Sequence, residues 1–249
     1  MRDPREILTR PAEPGVTIPY GDLDDQIIEW FTPDVPLSSG TVVLLHGGFW
    51  RPEYDRTHLR PLCQALREEG YVAAAVEYRR GVNYQQTLGD VMKAVAGIVS
   101  EMDDGDTFTL AGHSAGGHLA LWAAGQPDLV GEGALAGVVG LAAVTDLYRA
   151  YADGLDGDAA EKFLGGGPDD VADHYAEADP MGLAPGVGVR LIHGVDDDRV
   201  PVDYSRAYAR RYGCEYQELQ DIEHYGLIDP ASGAWPAVRE ALTGPSRLV

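Results

Sequence analysis

Gly112-His113-Ser114-Ala115-Gly116 sets a serine between two glycines, where an apolar run, Thr107 to Ala111, gives way to a helical pattern. In that setting a hydroxyl can serve as a nucleophile. Glycines two residues to either side allow a turn sharp enough to raise the serine above the strand, at the amino end of the following helix. With 31 Gly and 7 Ser in the chain, the bare pattern arises by chance about 0.1 times, so context has to carry the reading. A second strand end supplies context: residues 41–45, Thr-Val-Val-Leu-Leu, run into His46-Gly47-Gly48-Phe49-Trp50. Backbone amides there can approach a substrate closely, the position expected of an oxyanion hole.

A serine hydroxyl needs a base, and a serine-first order places an acid and then a histidine further along the chain. His118, His174, His193 and His224 follow Ser114. His118 lies one helical turn on and suits packing, whereas His174 sits in an acidic stretch with no strand before it. The run Val189 to His193 opens into Gly194-Val195-Asp196-Asp197-Asp198, presenting a carboxylate beyond a strand end, and only His224 follows it. Spacing alone leaves the choice among the three aspartates open.

Other chemistries find no support. Asp196 to Asp198 and Asp103-Asp104-Gly105-Asp106 lack the alternating ligands and closing Glu of a calcium loop. No Gly-Lys-Ser/Thr ending and no Gly-x-Gly-x-x-Gly occurs. Cys63 and Cys214 stand 151 positions apart, the pattern of two free thiols in a reducing cytosol. No cofactor and no metal are expected.

Alternating apolar runs and amphipathic stretches must position these residues, which predicts a mostly parallel sheet flanked by helices. Strands are expected at Thr41 to His46, Tyr71 to Glu77, Thr107 to Gly112, Leu135 to Ala142, Val189 to His193 and Cys214 to Leu219. Helices are expected at Thr57 to Glu69, Thr87 to Met102, Ala115 to Ala124, Val202 to Tyr212 and Trp235 to Leu242. Gly15 to Tyr20 and Gln26 to Phe31 read as an antiparallel N-terminal edge. Residues 1–249 are expected to form one domain, with a small cap or lid inserted at 147–180, where Asp153 to Asp179 carries nine acidic residues and one Lys.

The net charge of −21 disfavours nucleic acid, anionic lipid and coenzyme A adducts as partners. The longest apolar run, Ala134 to Val144, is too short to span a bilayer, and no secretory signal pattern opens the chain. The expectation is a cytoplasmic protein with a small-molecule substrate, no nucleic-acid or membrane partner, and room for a homodimer.

From about Tyr20 to Leu242 the chain resembles the α/β-hydrolase superfamily. In that superfamily His-Gly-x-x-Asp-x-x-Val-Pro carries the triad acid, and the matching stretch His193 to Pro201 puts Asp197 in its place. His46-Gly47-Gly48-Phe49-Trp50, the stretch 112–120 and Val76-Glu77-Tyr78-Arg79 resemble the arylformamidases (kynurenine formamidases) and related small esterases. Phe49 stands where that group often has Tyr. The resemblance implies a triad of Ser114, Asp197 and His224, with the amides of Ala115 and of Gly48 or Phe49 as oxyanion donors. It further implies a substrate wall drawn from Phe49, Trp50 and His113, and hydrolysis of a small formamide of the N-formylkynurenine type. A broad carboxylesterase is the alternative within enzymes, and a non-catalytic ligand receptor on the same fold the alternative outside them.

Overall fold

The computed structural model describes residues 3–37, 40–130 and 134–244. Eight strands form one sheet: β1 (Val16–Pro19), β2 (Ile27–Phe31), β3 (Gly40–Leu45), β4 (Val72–Val76), β5 (Thr107–His113), β6 (Leu135–Leu141), β7 (Val189–Gly194) and β8 (Glu215–Leu219). Their spatial order is β1-β2-β4-β3-β5-β6-β7-β8. Strands β3 to β8 run parallel, while β2 is antiparallel to both β1 and β4, the expected N-terminal edge.

Nine helices connect them among the described residues: α1 (Arg60–Glu68), α2 (Tyr84–Ser100), α3 (Ala115–Ala124), α4 (Pro127–Val130), α5 (Leu147–Ala152), α6 (Ala159–Leu164), α7 (Ala172–Ala178), α8 (Asp203–Tyr212) and α9 (Trp235–Thr243). Successive side chains of a strand face opposite sides, so β3 sends Val43 and Leu45 into one apolar layer and Val42 and Leu44 into the other. The first layer is completed by α2, α3 and α8 and by residues of α5 to α7, the second by α1 and α9. The α/β-hydrolase architecture thus follows from parallel strands that must be covered on both faces.

Two helix starts differ from expectation by three residues each. Residues 56–59 form a 3-10 turn, and α1 starts only at Arg60 because Pro61, lacking an N–H, sits in the first helical turn. Helix α2 begins three residues early, since the Asn83 side chain accepts the Gln85 N–H at 2.8 Å as a cap. The acidic stretch breaks into α5, α6 and α7, whose buried faces join the first layer: Phe163 stacks on Trp50 with ring centroids 4.5 Å apart. No helix of the described residues is long and apolar enough to cross a membrane.

The tightest packing lies where α3 starts. A Cβ on Gly116 would stand 2.1 Å from the Leu45 carbonyl oxygen, a backbone atom that cannot move aside. Gly116→Ala should therefore lower stability by about 3 kcal/mol or more, read as a shifted denaturant midpoint at unchanged slope.

Candidate active site

Ser114 occupies the turn between β5 and α3 with φ 57° and ψ −117°, a left-handed conformation a non-glycine residue seldom adopts. Its carbonyl accepts the N–H groups of His118 and Val144, at 3.0 and 3.2 Å, which fixes the turn. The side chain is 1% exposed, and its hydroxyl makes no hydrogen bond among the described residues.

Three consecutive residues after β3 also take positive φ: Gly48 (115°), Phe49 (51°) and Trp50 (56°). Beneath them His46 Nε2 donates to Glu77 Oε1 at 2.9 Å, and the Tyr78 hydroxyl donates to the His46 carbonyl at 2.6 Å. Glu77 also accepts the Arg56 N–H at 3.1 Å and pairs with the guanidinium groups of Arg56 and Arg80. The glycine-bearing loop thus rests on a buried carboxylate ringed by donors. Burial alone would raise the Glu77 pKa, but the His46 hydrogen bond and the Arg80 charge bring it down to about 2. The amides of Gly48, Phe49 and Ala115 have no hydrogen-bond partner among the described residues. Ala115 is the first residue of α3, where amides lack helical partners in any case.

His224 opens a 3-10 turn (His224–Ile228) that Glu223 caps, its carboxylate accepting the Tyr225 N–H at 2.7 Å. His224 Nδ1 donates to Asp197 Oδ2 at 2.7 Å, which leaves Nε2 as the acceptor. Asp197 has a fully buried side chain, whereas Asp196 and Asp198 are exposed. Its Oδ1 accepts the N–H groups of Arg199 and Val200 at 2.8 Å each, and His193 Nε2 lies 3.2 Å from Oδ2. Although burial works against the charge, hydrogen bonds from His193 and His224 hold the Asp197 carboxyl well below the usual range. The loops that carry Asp197 and His224 are joined directly, the Asp196 N–H donating to the Ile222 carbonyl at 3.0 Å.

Ser114 and His224 line one narrow cleft with Gly47, Gly48, Phe49 and His113, and its free space is about 20 Å³, little more than one water. A larger depression, about 710 Å³, lies among Arg190, Glu215 and Gly244, away from these groups. Among the expected wall residues, Phe49 lies in the cleft 5.7 Å below the Arg199 guanidinium, whereas Trp50 is not among its lining. The Trp50 indole N–H instead donates to His118 Nδ1 at 3.2 Å, and His118 Nε2 donates to the Ala178 carbonyl at 2.9 Å. Burial lowers the His118 pKa to about 4, consistent with a neutral packing residue. His113 lines the cleft but directs Nε2 to the His224 carbonyl at 3.0 Å, its ring centroid 4.4 Å from that of His224. Among the described residues its Nδ1 is buried without a partner, and burial, then the nearby His224, push its pKa well below 6.5.

Leu8, Tyr54, His58, Arg199 and Tyr225 also line the cleft, and sequence reasoning found none of them. Tyr54, His58, Arg199 and Tyr225 lie within eight or so positions of recognised motifs, but nothing in their local pattern marks them. Leu8 lies upstream of every motif. Among the described residues no group of three His, Cys, Asp or Glu could hold a metal ion.

The Glu77 hub gives a pH-dependent expectation. Its folded pKa of about 2 lies below the ordinary 4.5, so its contribution is complete above pH 4.5 and is lost as the pH falls toward 2. Glu77→Gln should cost roughly 3 kcal/mol at pH 7 in chemical denaturation, a gap that narrows as both proteins are titrated below pH 4.5.

Comparison with known proteins agrees with this architecture. Curated relatives match over part of the chain, two of which illustrate the range. One is a probable carboxylic ester hydrolase, LipM, of Mycobacterium tuberculosis, 32% identical over 107 residues, 40% of this chain and 25% of that protein. The other is kynurenine formamidase of Salmo salar, 29% identical over 117 residues, 44% of this chain and 38% of that protein. The matched stretches thus span well under half the length of either relative. A solved structure from Silicibacter sp. TM1040, provisionally assigned as a thioesterase, superposes with a TM-score of 0.74 at 21% identity, covering 93% of this chain and 86% of that one. At that identity the likeness speaks for the fold. Residues 32–212 match the BD-FAE family, and the chain belongs to that family, within the esterase and arylformamidase group of α/β-hydrolases.

Proposed function

We propose that this protein is a serine hydrolase that cleaves an amide or ester of a small acyl group, with an N-formylkynurenine-type aryl formamide as the substrate class. One observation carries the reading: a buried serine in a strained turn shares a narrow cleft with His224, whose Nδ1 is held by the ionised Asp197.

In this scheme Ser114 Oγ attacks the carbonyl carbon as its proton passes to His224 Nε2. Hydrogen bonds of this kind are often long before substrate binds and tighten in the reacting complex. Asp197 keeps the proton on Nδ1 and stabilises the imidazolium as it forms. The unpartnered amides of Ala115 and of Gly48 or Phe49 receive the developing oxyanion. The tetrahedral adduct collapses, the C–N or C–O bond breaks, and His224 returns the proton to the leaving amine or alcohol. A water then loses a proton to His224 and attacks the acyl-enzyme, which releases the acid and restores Ser114.

The cleft size favours formyl over larger acyl groups, and the partial match to kynurenine formamidase supports the amide. A small-ester carboxylesterase is the second reading, favoured by the match to LipM. Turnover of N-formylkynurenine against a nitrophenyl acetate separates the two. Ser114→Ala should abolish turnover and labelling by a fluorophosphonate, and Asp197→Asn should lower kcat by about 10⁴, the loss known for the same change in a serine protease triad. Near-wild-type turnover by Ser114→Ala would refute the mechanism.

A further inference from the structure

We infer that the N-terminal turn, through Leu8, forms the wall that limits the size of the acyl group beside Ser114. This rests on the hydrolase reading above. Leu8 is the one aliphatic side chain among the described residues that line the cleft. It belongs to a 3-10 turn, Pro4–Thr9, that lies outside the residues matching the family.

That turn is fastened along its length. The Asp3 side chain caps its start, accepting the Arg5 N–H at 3.0 Å. Ile7 is fully buried in the second apolar layer. At its end, the Arg10 guanidinium donates to both carboxylate oxygens of Asp229 at 2.6 Å, one residue past the turn that begins with His224. The N-terminal turn packs on the Arg56–Leu59 turn, which carries His58, and on the His224–Ile228 turn. It therefore bridges two walls of the cleft.

The free space of about 20 Å³ beside Ser114 matches a group little larger than one water, the scale of a formyl hydrogen or an acetyl methyl. An aryl leaving group exceeds that space, so in the proposed reaction the space beside Ser114 takes the acyl side. Part of the remaining wall is fixed. Gly47, Gly48 and Ser114 are backbone-bound by their turns, and His58 and His113 are buried. Leu8 is only partly buried, and shortening its side chain removes no hydrogen-bonding group. Each methylene a pocket excludes or admits changes kcat/KM by about tenfold or more.

The test is an acyl series of nitrophenyl esters, acetate to butyrate, with the leaving group constant, and an acetate series with varied leaving groups. In Leu8→Ala the butyrate-to-acetate ratio of kcat/KM should rise by at least about tenfold. Arg10→Met, which frees the turn without altering the cleft lining, should move the ratio the same way, and Leu8→Phe should lower it. A Leu8→Ala ratio within about twofold of wild type, or a change confined to the leaving-group series, overturns the wall. Ser114→Ala separates the two claims. If it is inactive while the Leu8 ratio stays put, only the wall falls; if it remains active, the hydrolase reading itself falls.

Discussion

The close crossing of α3 over the end of β3 governs the rim of the sheet. With no side chain at Gly116, the first turn of α3 seats against the Leu45 carbonyl, and β5 can reverse into the helix within a single residue. That residue is Ser114. The same crossing brings Ala115 to the glycine-bearing loop, where a Cβ on Gly47 would lie 3.1 Å from the Ser114 Cβ. The proposed nucleophile and candidate amide donors are thus set by backbone contact, which is stiffer than any side-chain arrangement. Asp197 and His224, the proposed acid and base, arrive separately, from loops after β7 and β8 that are joined to each other.

Charge performs a second, deeper task. In a chain with a net charge of −21, several carboxylates are buried, and Glu29, Glu77 and Asp90 among them are met by arginine. Asp90 binds Arg79 through both oxygens at 2.7 and 2.8 Å and accepts Gln26 at 2.8 Å, while Glu29 pairs with Arg56 and Arg60. The planar guanidinium fork suits such pairs and keeps its charge when buried. Buried ion pairs add little net stability, since desolvation offsets attraction, but removing one partner is costly. Here they hold a loop in a shape that apolar packing alone would not specify.

The elements were largely legible in the sequence because strands covered on both faces must be continuously apolar, and the helices that cover them carry an amphipathic period. The Ser114 turn and the order of acid and base could be read from local pattern. Choosing Asp197 from three adjacent aspartates needed the register of a family motif, since only burial separates it from its neighbours. Trp50 shows the opposite difficulty. An indole after a glycine-bearing loop can face either cleft or core, and here His118, four residues past Ser114, accepts its N–H from the core side. Leu8 was illegible for a different reason. Its turn is short, carries no motif, and gains its place from contacts with residues more than 45 and 200 positions away.

Phe49, Trp50 and Ser114 all hold dihedrals that non-glycine residues avoid, each at a cost of order 1–3 kcal/mol. The surrounding packing has to absorb that energy, so the rim is a place where the fold is less comfortable than it could be. Selection for heat resistance alone would erode these three conformations first, replacing them with glycine or a relaxed loop. A thermally hardened descendant of this chain is therefore more apt to lose its chemistry than its architecture.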